Sequence, residues 1–379
     1  MEITTKPQPS ADIEHATLFV ALELSKAKWL VALYAPDREK ISEYTIDGGD
    51  APALLALIEK RCAQAHKKLG RPMRVMSCYE AGYDGFWLHR FLVSKDIDNR
   101  VLDAASILVS RRGRRAKTDR LDVAGLLRSL MALARGETQV ARVVHVPSVE
   151  DEDRRRLSRE RRRLIAERVA HVNRIKGLLM LHGVRDFVPT RRNWPQQLST
   201  LECAEGSKLP ARIRTEITRE CHRLHMVIEM IKQVEAEQAE LTEQVPGPAK
   251  ALMQLKGLGP AISAILSQEV FFRDFANRRE IASYLGLAPS PWKSGGIDRD
   301  QGISKAGNRH ARQAAVELAW LWLRHQPGSA LTQWFKVRVG DMRGRIRRIT
   351  IVALARKLII ALWRYLKHGL VPEGAILKA

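Results

Sequence analysis

The most constraining feature of this 379-residue chain is an apolar period that changes from two to 3.6 and back between Thr17 and Arg135. Leu18 to Leu24, a short Ser-Lys-Ala-Lys turn and then Trp29 to Tyr34 predict a β-hairpin. A third short strand is expected from Ser42 to Ile46. Leu54, Leu55, Leu57, Ile58 and Cys62 predict a helix over 51–66. Arg74 to Tyr79 reads as a buried strand, Gly85 to Val93 as a helix, Asn99 to Ala104 as a strand and Asp119 to Arg135 as a helix.

Three strands in a meander, then helix, strand, helix, strand, helix, is the element order of the ribonuclease H-like, RuvC-type fold, an α/β core with mixed strand directions. The expected layout is a tail over residues 1–16 and this domain over 17–148. From Val149 the composition becomes charge-rich and helical. Leu157 and Leu164 are seven apart, and Ile165, Val169, Val172 and Leu179 follow at spacings of four, three and seven. After a break at Pro189, Trp194-Pro195 and Pro210, a second segment puts Ile217, Leu224, Ile231 and Val245 on one seam, with Gln238 its polar member. Ile213, Val227, Val234 and Leu241 form the adjacent seam, which Glu220 interrupts. Such heptads over 149–245 predict a coiled coil, either an antiparallel hairpin or an oligomeric one. A helical packing insert within one subunit is the competing arrangement. Val245-Pro246-Gly247-Pro248 reads as a linker, and 249–379 as a mainly α domain with a Gly-rich middle and a basic end.

The acids are informative by position. Glu23 sits among apolar neighbours in the first strand, where a carboxylate is costly unless paired or bound to a metal. Glu80 ends the fourth strand. Asp119 and Asp122 share a helix face at i and i+3. In the expected fold these elements converge at one edge, where four carboxylates could hold two Mg²⁺ ions and clamp a phosphate. Each acid alone also fits a surface role, and Asp119 fits a helix cap.

Lys and Arg number 64 against 42 Asp and Glu, a formal charge of +22, which argues for a polyanionic partner. Nucleic acid is favoured over membrane because the charge is spread along the chain. Cys62, Cys78, Cys203 and Cys221 have no CxxC spacing and read as reduced packing residues. The N-terminus lacks an apolar signal core, and Ile349 to Trp363 is interrupted by Arg356 and Lys357, so a cytoplasmic protein is expected, associated with the nucleoid.

Arg111, Arg112, Arg114, Arg115 and Lys117 run into Asp119 and would attract a phosphate backbone. Gly257 and Gly259, in Leu255-Lys256-Gly257-Leu258-Gly259-Pro260, resemble a helix-hairpin-helix turn whose amides could approach a phosphate, although such turns also join ordinary packed helices. Tyr284-Leu285-Gly286-Leu287-Ala288-Pro289 leads to Lys293-Ser294-Gly295-Gly296, and then to Ile303-Ser304-Lys305-Ala306-Gly307-Asn308-Arg309. Ser294 could attack phosphorus beside Lys293 and two glycines. Ser304, with Lys305 and Arg309 close by, reads as an N-cap or an anion contact. Arg343 to Arg348 would touch phosphates, and Trp320, Trp322 and Trp334 read as core or interface aromatics.

Taken together, LELSK at 22–26, YEAGYDG at 79–85, KTDRLDVAGL at 117–126, the SGG run and GISKAGNRHAR resemble the DEDD transposases of the insertion-sequence-110 family, over about Leu18 to Arg364. The resemblance implies a RuvC-like domain, a coiled coil and a C-terminal transposase domain. It carries the family's metal-binding acidic tetrad onto Glu23, Glu80, Asp119 and Asp122, and its nucleophile onto Ser294. The family's first acid is usually Asp; Glu23 keeps the charge and ligand type and moves the carboxylate by one methylene. The resemblance further implies cutting and joining through a phosphoserine–DNA intermediate, a composite site in a homo-oligomer (dimer or tetramer), and a structured bridge RNA as guide. The competing readings are a metal-only RuvC-like nuclease such as a junction resolvase, and a non-catalytic nucleic-acid-binding protein.

Overall fold

A computed structural model describes residues 15–38, 40–107, 119–244, 247–294 and 296–378, with backbone alone at 243–244, 292–294 and 297–300. The chain divides into two compact units, Met1–Pro147 and Ser148–Ala379.

The first unit is a sheet covered on both faces. Its elements are β1 (Ala16–Leu24), β2 (Lys28–Tyr34), β3 (Ser42–Asp47), α1 (Ala51–Leu69), β4 (Met73–Glu80), α2 (Trp87–Val93), β5 (Asp98–Leu102) and α3 (Asp119–Ala134). The strand order is β3-β2-β1-β4-β5. β1, β2 and β3 form the expected antiparallel meander, whereas β4 joins β1, and β5 joins β4, in parallel. Alternation along the strands sorts their side chains onto two cores. Leu18, Val20, Leu22, Trp29, Val31 and Tyr79 face Leu54 and Ile58 of α1 and Leu88 and Leu92 of α2. Ala21, Ala32 and Cys78 face the other way, under Val123, Leu126, Leu127 and Leu130 of α3. Those three small residues are neighbours in register across β2, β1 and β4. They let α3 sit close, with the Cys78 thiol 3.6 Å from the Leu126 carbonyl. Asp50 caps α1 by accepting the Ala53 amide at 2.9 Å, and Gly70 ends it in the left-handed region.

The second unit begins with two long helices, α4 (Val149–Met180) and α6 (Ala211–Gln244), separated by the short α5 (Trp194–Ser199). The side-chain contacts Arg161–Glu235, His171–Glu220 and Arg174–Glu216, at 2.6 to 2.7 Å, run in opposite numerical directions, so the helices are antiparallel. Ile217, Leu224, Ile231, Val227 and Val234 are buried with Leu164, Ile175 and Leu179 of α4. Val169 and Leu241, which spacing alone put on the apolar stripes, remain exposed. Gln238 is buried, and its side-chain amide nitrogen has no hydrogen-bond partner among the described residues.

The remainder comprises α7 (Pro248–Met253), α8 (Pro260–Glu269), α9 (Arg278–Tyr284), β6 (Pro289–Ser294), β7 (Ile297–Ile303), α10 (Arg309–His325), α11 (Ala330–Val339) and α12 (Arg345–His368). Its core gathers Leu266, Phe275, Ile281, Leu318, Trp322, Leu354 and Leu358. The Trp322 ring is fully buried and its Nε1 donates to Ser329 Oγ at 2.8 Å. Two sequence expectations need correction. Within the domain expected to be mainly α, the Gly-rich middle around Ser294 is an antiparallel strand pair, with a register shift between Pro289 and Pro291. Prolines 289 and 291 and glycines 295, 296 and 302 dilute the β pattern, which hides these strands in the sequence. Ser304 is not a helix cap: Asn308 caps α10, its Oδ1 accepting the Ala311 amide at 3.0 Å. No helix among the described residues is long and apolar enough to cross a membrane.

Candidate functional site

The residues singled out in the sequence fall into two groups, one in each unit. In the first unit, β1 and β4 run parallel, and their last paired residues are Leu22 and Tyr79. Glu23 and Glu80 occupy the next step, at the C-terminal ends of adjacent strands. Alternation puts both on the side of Ala21 and Cys78, the side that α3 covers. Asp119 and Asp122 form the acidic first turn of α3. Glu23 and Asp122 are half-buried; Glu80 and Asp119 are exposed. The C-terminal ends of parallel strands are where open α/β sheets present their reactive groups. All four donors are carboxylates, the hard oxygen ligands that a divalent cation such as Mg²⁺ takes, so the donor chemistry fits the ion. As they stand, no three His, Cys, Asp or Glu side chains among the described residues are gathered closely enough to hold a metal. Arg111, Arg112, Arg114, Arg115 and Lys117 lie outside the described residues.

Sequence reasoning passed over Tyr83. It lies three residues past Glu80 in the loop leaving β4 and is 97% exposed. Its signal is an aromatic flanked by Gly82 and Gly85, where no core demands one.

In the second unit, the backbone of Ser294 ends β6 and pairs with Ile297 at the start of β7, and Lys293 pairs with Asp298. The two motifs that flank this hairpin interlock. Ser304 donates its amide to the Ala288 carbonyl at 2.9 Å, Lys305 to Gly286 at 3.1 Å and Asn308 to Tyr284 at 2.9 Å. Gly286 and Gly307 both have positive φ, and a Cβ on either would run into backbone of the other motif, at Ala306 and Tyr284 respectively. Lys305 itself takes φ 57°, rare for a residue with a side chain. The side chains of Ser304, Lys305 and Arg309 are exposed. These turns therefore hold both ends of the hairpin at a fixed separation, with basic groups on their outer surface.

Gly257 has a more local explanation. Its φ is +94°, and an added Cβ would meet the His325 side chain. Gly259 precedes Pro260 as the N-cap of α8. The close approach that excludes a side chain at Gly257 is thus to this protein's own α10.

The feature hardest to foresee is Glu269, a fully buried carboxylate at the end of α8. Arg159 of α4 grips it with two hydrogen bonds, at 2.8 and 3.1 Å, and Asn308 donates to Oε2 at 2.8 Å. His310 Nδ1 lies 3.4 Å from Oε1. Burial pushes the Glu269 pKa up, but His310, Arg159 and Asn308 outweigh it and hold the carboxyl well below the usual carboxylate range. Beside it, Tyr284 donates its hydroxyl to the Glu269 carbonyl at 2.9 Å, and Arg155 donates to Gln268 at 2.9 Å while lying over the Phe272 ring. The network fastens the long helix pair to the residues on which the hairpin stands.

Residues 249–333, which hold the hairpin and both interlocking motifs, match the family model described as "Transposase IS116/IS110/IS902 family". Over almost its whole length the chain is similar to "Putative transposase y4rJ" of Sinorhizobium fredii: 46% identity across 97% of this chain and 96% of the relative. The chain belongs to the IS116/IS110/IS902 transposase family. A second protein of that organism, "Putative transposase y4qE", is 27% identical over 90% of this transposase and 80% of its own length. The "Transposase for insertion sequence element IS1328" of Yersinia enterocolitica is 25% identical over 60% of this chain and 68% of its own.

Proposed function

We propose that this transposase cuts and rejoins DNA strands with Ser294 as the nucleophile and Glu23, Glu80, Asp119 and Asp122 as the ligands of Mg²⁺. The observation that carries the reading is full-length kinship with a transposase, in a chain whose Glu23 and Glu80 end adjacent parallel strands on the face packed by α3, the helix with Asp119 and Asp122 in its first turn. The meander followed by two parallel strands supports an RNase H-like domain over about residues 17–148. The antiparallel helix pair supports a coiled-coil region over 149–245, and the family match supports a C-terminal transposase domain over 249–379.

In the first step the Ser294 hydroxyl attacks a DNA phosphorus. A serine–phosphate bond forms, one bridging P–O bond breaks, and the strand leaves as a free hydroxyl that takes up the proton. Rejoining is the reverse displacement: a DNA hydroxyl attacks the phosphoserine, and Ser294 is released with its proton. Bound Mg²⁺ would supply charge stabilisation of the phosphoryl oxygens and activation of the attacking oxygen. The protein's own share is to hold the Ser294 strand in place through the Gly286 and Gly307 turns. Lys293, Lys305 and Arg309 supply cations for the phosphate. The full reading includes a structured guide RNA and a homo-oligomer in which the acidic domain of one subunit serves the serine of another.

Plasmid recombination with Ser294→Ala tests the proposal. Recombination should be abolished while DNA binding persists, and full recombination by the variant would overturn the assignment.

A further inference from the structure

A cavity of the second unit lies beside the β6–β7 hairpin. It is a cleft of about 1580 Å³ with α12 along its floor. Arg345, Arg348, Arg356, Lys357 and Arg364 line it from α12, over a sequence span of 19 residues, or about 29 Å of helix. Between them lie short aliphatic side chains, among them Ile349, Val352, Ala353 and Ile360. Arg278, Arg279 and Lys305 complete the basic lining. Eight cations thus meet a single carboxylate, Glu373. Pro289 at the start of β6 and Ile303 at the end of β7 also line the cleft, so it adjoins the hairpin that carries Ser294.

Three observations say that this charge awaits a ligand. Among the described residues none of the eight cations forms an ion pair, in a chain where many other arginines do. Arg356 Nε is shielded from solvent and has no hydrogen-bond partner among the described residues. At the start of α12, Arg345 and Arg348 sit in a first turn without any acid, behind Gly344, which offers no side-chain cap. Cations there oppose the helix dipole, so the arrangement costs stability until an anion arrives.

The lining also says which polyanion. Among the described residues that line the cleft there is no aromatic ring to stack a base. Proteins that track single strands rely on such rings. Spaced cations with aliphatic groups between them suit a phosphate backbone that keeps its bases to itself. A length of about 29 Å spans roughly eight base-pair steps of 3.4 Å.

We propose that the α12 cleft is a sequence-indifferent track for the backbone of double-stranded DNA, leading the duplex toward the β6–β7 hairpin. The proposal rests on the reading of this transposase as a DNA recombinase and adds where the uncut duplex is held.

The test is binding by the full-length protein without Mg²⁺, so no cleavage chemistry is needed. A fluorescent 30-base-pair duplex of arbitrary sequence would be titrated at several salt concentrations. Wild-type protein would be compared with Arg345→Gln/Arg348→Gln/Arg364→Gln, and with a second triple variant carrying Lys at the same positions. The Gln variant should bind roughly tenfold or more weakly at about 0.1 M salt. Its log–log salt slope should shrink by about 0.9 for each phosphate that it no longer neutralises, alike for unrelated sequences. The Lys variant should retain most of the affinity. Unchanged affinity and slope in the Gln variant would overturn the proposal. So would equal weakening in both variants, or a cleft-dependent preference for oligo-dT or duplex RNA over duplex DNA. Because the assay reads no covalent product, its failure is distinct from a failure of the Ser294 mechanism.

Discussion

Asn308 donates its side-chain amide to Glu269 Oε2 at 2.8 Å while its own Oδ1 accepts the Ala311 amide at 3.0 Å. One side chain therefore starts α10 and partners a buried carboxylate. The same carboxylate, at the end of α8, is gripped by Arg159 of α4, so three elements distant in sequence share one charge.

Glu269→Gln should destabilise the second unit by about 1–3 kcal/mol, read as a lower urea midpoint, because an amide cannot accept both Arg159 hydrogen bonds as the carboxylate does. The folded pKa lies below the unfolded value of about 4.3, so the stabilisation is fully present above that value and fades as pH falls below it. Below about pH 4 the wild type should therefore lose stability faster than Glu269→Gln. Parallel acid limbs for the two proteins would contradict the buried-carboxylate account.

Gly286→Ala and Gly307→Ala should each cost more than an ordinary positive-φ glycine. Both would bring a Cβ into backbone of the facing motif, whereas Gly49, with φ +87°, faces open space. Gly49→Ala should cost about 1 kcal/mol, and the other two about 2 kcal/mol or more. Thermal melts of the three variants would rank them, and equal destabilisation would show that the two motifs do not interlock.

Asp122→Asn and Glu23→Gln should each lower Mg²⁺-dependent DNA cleavage at least tenfold and raise the Mg²⁺ concentration needed for half-maximal rate. Glu23→Asp, which keeps a carboxylate on the covered face of β1, should retain more activity than Glu23→Gln. A Mg²⁺ titration identical to wild type in all three would count against the acidic edge as the metal site.

Most of the first unit was legible because its signals are local. Alternation in Leu18–Leu24 and Trp29–Tyr34, and helical spacing through Leu54, Ile58, Val123, Leu127 and Leu130, need no knowledge of distant partners. The same alternation carries Glu23 and Glu80 to one face. The second unit was harder where distant groups decide. The β6–β7 pair is masked by Pro289, Pro291 and its glycines, and Ser304 looked like a cap until Asn308 proved to hold that position. Glu269 sits in an unremarkable Ser-Gln-Glu-Val run; only folding brings it to Arg159, 110 residues away. The cleft along α12 draws its cations from three separate segments, so no single run announces it.

The central claim is the serine–DNA bond, and the most direct measurement is a search for protein covalently joined to DNA. Wild-type and Ser294→Ala protein would be incubated with Mg²⁺, labelled element-junction DNA and RNA transcribed from the element's flank, then run on a denaturing gel. The account predicts a slow-migrating DNA–protein adduct with the wild type that vanishes with Ser294→Ala. Cleaved DNA without any adduct would contradict it and favour hydrolysis by the metal site alone.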